Sequence, residues 1–224
     1  MRRIIDLSTP IVEGHFRWPV ERCLKKSHEA GDGVQATWAG WIVHGFTHMD
    51  APRHFDPNGF TTDHITPDMV VGDAAVADVS RVGADSPITE EVVSRAGQHI
   101  KEGDIVLLRT GWDKVESINT PEFWTRAPYM TRDASEWLLE KKIKAVAFDF
   151  PQDYCIRYLV TGERRPALEE NTTHVTLLWN GVLMFEYLCN MTEIRRPRTF
   201  FVGLPLKFPD SDGAPVRAIA IEDD

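Results

Sequence analysis

The chain has 224 residues, 42% of them apolar, and its net charge of −9 makes it clearly acidic. This length and apolar content suit one globular domain with a continuous core, and the acidic balance argues against nucleic acid or an anionic membrane surface as a partner. No apolar run reaches the roughly 18 residues of a membrane helix, and the three cysteines form no C-x-x-C pair, so we expect a cytoplasmic protein with reduced, buried thiols.

Predicted strands and helices alternate along the chain. The N-terminal segment has no apolar signal core, so it is predicted to be the first strand of the fold. Six further strands are short, rich in Val, Ile and Phe, and bounded by Gly, Pro or Asp, and they cover residues 40–43, 74–79, 105–109, 145–148, 182–186 and 200–204. Helices are predicted over residues 89–96, 131–142 and 174–180. Because each helix leads into a strand, we expect α/β crossover units and a mixed sheet in one undivided domain, residues 1–224.

Four side chains that suit metal binding lie within eleven positions, at His44, His48, Asp50 and His54. Their positions are all even, so an extended backbone would place them on one side, and Pro52 excludes a helix through the segment. A straight strand would separate residues 44 and 54 by roughly 33 Å, so the segment must curl. Gly45 and Pro52 provide suitable backbone angles. Three imidazoles and a carboxylate therefore predict a site for Zn²⁺, Mn²⁺ or Fe²⁺.

The same segment resembles the signature of the metal-dependent cyclase/hydrolase family, H-x-G-T-H-x-D-x-P-x-H-F. That family includes bacterial kynurenine formamidases and isatin hydrolases. Phe46 stands at the usual glycine, and the other fixed positions are present. Further similarity covers nearly the whole chain, at residues 6–8, 18–19, 103–112, 204–207 and 212–218. The resemblance implies the swivelling β/β/α type of α/β fold with a mixed sheet.

The resemblance also implies a second group of metal ligands later in the chain. Family members carry a metal-binding His and Glu at the spacing of His174 and Glu186, twelve residues apart. Glu186 interrupts an apolar run, where a lone carboxylate would be costly without a cation. By the resemblance, a second ion is held with these two residues and bridged by Asp50, and the ligands of the first ion are His44, His48 and Asp50. Some family members use a single Mn²⁺, so one or two ions of Zn²⁺ or Mn²⁺ per chain are expected.

His54, the last histidine of the segment, is then the general acid/base. A bound metal lowers the pKa of water from about 15.7 toward about 7, and a histidine with a pKa of about 6.5 can carry the proton to the leaving atom. The chain has no G-x-S-x-G and no H-E-x-x-H, which removes two other hydrolase designs. We expect a hydrolase of small molecules that opens an amide, cyclic amide, formamide or lactone bond, in the class acting on non-peptide C–N bonds.

Three aromatic residues are candidate walls of the substrate pocket: Trp18, Phe46 and Phe150. Phe46 and the run at residues 148–154 depart from the formamidase pattern, so formamidase specificity is not implied. The arginine-rich segments 163–165 and 195–198 are interpreted as solvated loops or subunit contacts, and nothing in the sequence selects one of their arginines for an anionic substrate. The resemblance implies a homodimer or homotetramer, in which a neighbouring subunit can contribute to the site.

Two other functions use the same residues. A metal-dependent isomerase or dehydratase would employ the same water and His54 for proton abstraction. A non-catalytic metal-binding protein would need the ligands but not His54. The sequence alone leaves both alternatives open.

Overall fold

A nine-stranded mixed sheet forms the centre of the computed structural model, which describes residues 2–223. The strands, in chain order, are β1 Arg2–Asp6, β2 Glu21–Lys26, β3 Ala36–Gly40, β4 His48–Asp50, β5 Val71–Asp78, β6 Pro87–Ile88, β7 Ile105–Arg109, β8 Tyr129–Met130, β9 Ala145–Phe148, β10 Leu183–Glu186, β11 Arg198–Val202, β12 Gly213–Pro215 and β13 Ile219–Asp223. The α-helices are α1 Pro67–Val70, α2 Glu90–Ala96, α3 Pro121–Thr125, α4 Arg132–Glu140, α5 Ile156–Thr161 and α6 Thr172–Leu178. Within residues 2–223, no helix has the length and apolarity to cross a membrane.

Parallel strands occupy the middle of the large sheet, and antiparallel strands occupy its edges. The order is β1-β13-β11-β5-β7-β9-β10-β4-β12, and the neighbours from β5 to β10 run parallel. β9 and β10 are buried along their whole length, and β7 is buried except at its last residue. The sequences of such strands are short apolar runs, because both faces of each strand are covered.

Each face of the sheet carries its own hydrophobic core. On one face α2, α4 and α6 pack through residues such as Val93, Leu138 and Leu177. The other core includes Leu107 and Phe201. The sheet curls around this second core, since a bridge between Ser8 and Leu188 joins the segment after β1 to the segment after β10. The expected mixed α/β fold is confirmed.

Most predicted elements appear with shifted ends, and one is wrong. The strands at 105–109 and 145–148 have the predicted bounds, whereas the third helix starts at Thr172, two residues early. Residues 41–43 form no strand, because β3 ends at Gly40 after pairing with β2, and the chain then turns toward the first histidine.

The β2–β3 hairpin stands away from the sheet and is almost entirely exposed. The expected burial of the cysteines is therefore wrong at Cys23, which lies on β2. Cys155 is buried and Cys189 is partly buried.

Candidate metal centre

Strand register places three of the predicted ligands on one face. Glu186 ends β10 and lies directly opposite His48 of antiparallel β4, while Met184 lies opposite Asp50. Directly opposed residues share a face of a sheet, as do residues two apart on one strand. His48, Asp50 and Glu186 therefore meet on one side of the sheet, and all three are buried.

The segment at 44–54 curls around β4, as the spacing argument requires. A turn precedes β4, and the short 3₁₀ helix Pro52–His54 follows it. The two turns bring the imidazole rings of His44 and His54 into stacked contact, with centroids 3.8 Å apart. Residues at the two ends of the segment thus face the same cleft.

Phe46 has a backbone φ of 61°, the left-handed conformation that favours glycine. This explains why the family signature has glycine at this position. The turned carbonyl of Phe46 accepts a hydrogen bond of 2.8 Å from Nδ1 of His48. That bond leaves Nε2 of His48 as the nitrogen with a free lone pair, which is how metal-binding histidines are usually oriented.

The three side chains of the first predicted group of ligands lie close together. One ligand atom from each of His44, His48 and Asp50 lies within 4.8 Å of the others. His48 Nε2 is 3.1 Å from Asp50 Oδ1. Neither His48 Nε2 nor Asp50 Oδ2 has a hydrogen-bond partner among residues 2–223, although both atoms are buried. Two buried, unpartnered electron-pair donors side by side fit a cation as their missing partner.

The second predicted group lies beside the first. His174, the third residue of α6, points Nε2 toward Glu186 Oε1 at 3.0 Å and Asp50 Oδ2 at 3.5 Å. Its Nδ1 donates to Asp153 at 2.5 Å. Asp153 also accepts the backbone N–H of Thr173, so one carboxylate fixes both the start of α6 and the orientation of the His174 ring.

Besides Asp153, two polar residues in the site were not predicted from the sequence. Asp212, just before β12, accepts a hydrogen bond of 2.9 Å from His44 Nε2 and lies 3.4 Å from His54 Nδ1. Gln152 donates to Glu186 through its amide nitrogen. Asp212 opens one of the motifs that carry the family resemblance, but no spacing rule connects it to a histidine more than 150 residues away.

The ionised side chains buried in the site are stabilised by neighbouring side chains of opposite charge. Burial lowers the pKa of His44, but the charges of Asp50 and Asp212 outweigh this and raise the pKa to about 10. Burial and the charge of Asp50 raise the pKa of Glu186, but His174 and His48 lower it to about 2. The cluster thus holds ionised carboxylates in a buried place and requires positive charge nearby. A divalent cation satisfies the same requirement.

A cleft of about 650 Å³ opens onto these residues. Its wall includes Trp18 and Phe55, together with Ile42, Ile156 and Leu168 from surrounding loops and helices. A mostly apolar cleft with a few polar groups at one end is typical of small-molecule sites. Among the predicted wall residues, the structure thus places Trp18 on the cleft.

Phe46 and Phe150 lie in the core and are both 0% exposed. The Phe46 ring packs behind Trp18 at 5.1 Å, and the Phe150 ring packs against Phe148 at 5.6 Å. Their assignment to the pocket wall is corrected, because a residue without exposed surface cannot contact a bound substrate. Aromatic character alone did not distinguish wall from core.

Comparison with known proteins shows similarity to one family over nearly the whole chain. The cyclase family model matches residues 5–152. An isatin hydrolase from Roseibium aggregatum is 27% identical over 237 residues, which cover 96% of this chain and 82% of that protein. A kynurenine formamidase from Bacillus cereus is 27% identical over 220 residues, which cover 96% of this chain and 95% of that protein. A solved structure described as a "predicted metal-dependent hydrolase from Bacillus stearothermophilus" has a TM-score of 0.75 at 27% identity and covers 100% of both chains.

Proposed function

Because this chain belongs to the cyclase family, we propose that it is a metal-dependent hydrolase that opens a C–N bond in a small formamide or cyclic amide. Its relatives are named for such reactions, on isatin and on a kynurenine formamide. The observation that carries the proposal is the buried pair of unpartnered ligand atoms, His48 Nε2 and Asp50 Oδ2, beside His174 and Glu186, which line an apolar cleft.

We assign His44, His48 and Asp50 to a first ion, and Asp50, His174 and Glu186 to a second. The imidazole and carboxylate donors suit Zn²⁺ or Mn²⁺. When bound, the metal supplies a water of lowered pKa and polarises the substrate carbonyl. Hydrogen bonds from His48 to Phe46 and from His174 to Asp153 orient the ligand rings before the metal arrives.

His54 is assigned to proton transfer. Its ring lines the cleft beside His44, and Asp212 lies at its Nδ1. With Nδ1 held there, Nε2 can accept a proton from the attacking water and deliver it to the leaving nitrogen. The water oxygen adds to the carbonyl carbon and the C–N bond breaks, so the products are a carboxylic acid and an amine. Asp212 acts as a positioning residue for the ring.

The test is elemental analysis of the purified protein, followed by assays of formanilide, isatin and aromatic lactones in ¹⁸O-labelled water. We expect one or two Zn²⁺ or Mn²⁺ ions per chain and one ¹⁸O atom per molecule of acid released. Turnover without ¹⁸O in the product would contradict hydrolysis and favour an isomerase or dehydratase. A protein without bound metal that gains no activity from added Zn²⁺ or Mn²⁺ would contradict the proposal altogether.

We also propose that the chain forms a homodimer or homotetramer. The exposed β2–β3 hairpin and the following loop carry large apolar side chains, with Trp38 45% exposed and Ile42 54% exposed. Exposed apolar surface of this kind is typical of subunit contacts. Ile42 also lines the cleft, so a second subunit would approach the substrate site. Sedimentation of the wild type and of Trp38→Ser would show whether the hairpin joins subunits.

A further inference from the structure

Arg17 lines the same cleft as the metal centre, on the wall formed by Trp18 and Tyr187. Nδ1 of His15 accepts hydrogen bonds from the backbone N–H groups of Arg17 and Trp18, at 3.1 and 3.2 Å. His15 is itself buried, and its Nε2 is 3.0 Å from the carbonyl oxygen of Ile118. The backbone that carries Arg17 is therefore held in place rather than free in solvent.

The guanidinium group of Arg17 lies over an immobilised aromatic ring. Its central carbon is 4.2 Å from the centroid of Trp124, a residue that is 1% exposed. The indole N–H of Trp124 donates to the carbonyl of Ile118, which fixes the ring plane. Contact with a fixed indole face limits the movement of the guanidinium group, whose fork of N–H edges matches a planar acceptor.

No protein carboxylate within residues 2–223 occupies those edges. Nη1 of Arg17 is buried and has no hydrogen-bond partner. Arg22 and Arg126, by contrast, are paired, since Arg22 lies 3.8 Å from Glu13 and Arg126 lies 2.8 Å from Glu116. A buried guanidinium nitrogen without an acceptor is costly. The chain has a net charge of −9, yet none of the carboxylates that the structure describes accepts from this nitrogen. The unpaired nitrogen at the cleft wall therefore indicates that a ligand supplies the acceptor.

Two rings separate this arginine from the metal ligands. Trp124 contacts Tyr187 with centroids 4.8 Å apart, and Tyr187 is 5.5 Å from the ring of His48. A substrate that spans the cleft can therefore present its scissile carbonyl to the metal ligands and a distant group to Arg17. Arg165 also lines the cleft and adds positive charge there.

We propose that Arg17 binds a carboxylate on the substrate, at a position away from the bond that is cleaved. This inference rests on the proposed hydrolase function and narrows its substrates to acids, such as formamides or cyclic amides of aryl or amino acids. A planar carboxylate matches the guanidinium edge bidentately, which a neutral amide cannot do.

The test compares formanilides that carry a carboxylate at the ortho, meta or para position with the matching neutral carboxamides. For the metal-loaded wild type, kcat/KM should favour at least one of the acids. In Arg17→Gln, the ratio of kcat/KM for that acid over its carboxamide should fall by about 10- to 100-fold, mainly through KM. Arg17→Lys should recover part of the ratio, because it restores charge without the planar fork. Arg95→Gln, on the exposed surface of α2, is the matched control.

Each outcome separates this inference from the proposed function. If the acids and carboxamides are hydrolysed equally well, or if Arg17→Gln slows both equally, the carboxylate site is overturned while hydrolysis stands. If no formanilide is cleaved, the proposed function fails on this class, and calorimetric binding of aminobenzoates against aminobenzamides decides the role of Arg17. Weaker binding of aminobenzoate in Arg17→Gln supports the site. Unchanged binding overturns it, since the carboxylate then binds elsewhere, for instance at the metal.

Discussion

His54 lies where either of two roles is geometrically open. One nitrogen is near Asp212, but a ligand atom of His54 also lies within 4.8 Å of ligand atoms of Asp50 and His174. We assigned His54 to proton transfer because its ring lines the cleft and is partly exposed, with 27% of the side chain accessible. The other candidate ligands of the second ion are almost completely buried. The two roles predict different metal contents for a variant that lacks the His54 ring.

The substitution His54→Ala is expected to retain the bound metal and to lower kcat by about 10²- to 10⁴-fold, because only the proton carrier is removed. Elemental analysis and steady-state kinetics check the two parts separately. His64→Ala is the control, since His64 is an exposed histidine outside the cleft with 67% of its side chain accessible. Loss of one ion per chain in His54→Ala would instead make His54 a ligand.

Phe46 combines an unfavourable backbone angle with a well-packed ring. A non-glycine residue in the left-handed region costs about 1–2 kcal/mol, while removing a buried phenylalanine ring costs about 3–5 kcal/mol. Phe46→Gly should therefore lower the free energy of unfolding by a net amount of about 1–4 kcal/mol. Urea denaturation measures this, and a Phe46→Gly variant more stable than the wild type would show that the ring contributes less than the strain. Metal binding should persist, because the carbonyl that orients His48 is retained.

At the scale of elements, β12 brings a glycine against His44, which we assign to the first ion. A Cβ atom on Gly213 would lie 2.7 Å from Cε1 of His44 and 2.9 Å from the carbonyl oxygen of Met49. Contacts this short cannot persist, and the backbone of paired β4 cannot move away easily. The ring of His44 is the part that can shift, so the packing of an edge strand controls the position of a proposed metal ligand.

We expect Gly213→Ala to weaken metal affinity by about 10- to 100-fold, because the displaced His44 no longer meets Asp50 in the required geometry. Competition with a chromogenic chelator measures the affinity. Gly83→Ala is the matched control, since a Cβ at Gly83 meets nothing within 4 Å. Equal affinities of the two variants for metal would contradict this role of Gly213.

A partly buried ion pair connects the residue before β7 to β11 across the intervening β5. Arg198 makes two hydrogen bonds of 2.7 Å to Asp104, whose side chain is 5% exposed. Burial raises the pKa of Asp104, but the hydrogen bonds and charge of Arg198 outweigh it and lower the pKa below its usual value. The pair therefore contributes stability above the unfolded pKa of about 3.9, and this contribution disappears as the pH falls through the folded pKa.

Arg198→Gln should accordingly destabilise the protein by about 1–3 kcal/mol at pH 7. The difference from the wild type should shrink as the pH falls from about 4 through the lowered folded pKa of Asp104, because this carboxyl then becomes protonated in both proteins. Urea denaturation across this pH range measures the effect, with Arg95→Gln as the surface control. A difference that stays constant down to low pH would exclude the Asp104 carboxylate as its cause.

The elements predicted best are those with a strong local pattern. β7 and β9 were predicted residue for residue, because strands buried on both faces are uninterrupted apolar runs. The hairpin β2–β3 was missed, since exposed strands lack that pattern. In the site, the spacing within residues 44–54 supplied three histidines and Asp50, and the family resemblance supplied His174 and Glu186. Asp153 and Asp212 were missed because they contact His174 and His44 only through the folded chain, 21 and 168 positions apart.

At the scale of the whole molecule, the two cores share the strands of one sheet, so disturbance of one core reaches the other. The interpretation of residues 1–224 as one domain stays a prediction, and it implies a single unfolding transition. The metal centre joins β4, β10 and α6, elements that are distant in sequence. Binding of metal to this junction should stabilise the folded state as a whole.

Removal of metal with a chelator is therefore expected to lower Tm by roughly 5–10 °C, as loss of a ligand at about 100 times its Kd removes about 2.7 kcal/mol. Differential scanning fluorimetry with and without chelator measures the shift, and adding Zn²⁺ or Mn²⁺ in excess should reverse it. The Asp50→Asn variant, which lacks the carboxylate that we assign to both ions, should show a much smaller shift. The same shift in wild type and variant would mean that the chelator acts elsewhere.

The pairing of Glu186 with His48 makes the metal centre a check on strand alignment. If β4 shifted by one residue against β10, Met49 would turn toward the cleft, and His48 and Asp50 would turn into the opposite core. A chain misaligned in this way could form most of its sheet and still lack the first ion. The metal content of a refolded sample would then count the correctly aligned molecules, which secondary structure measured by circular dichroism cannot distinguish.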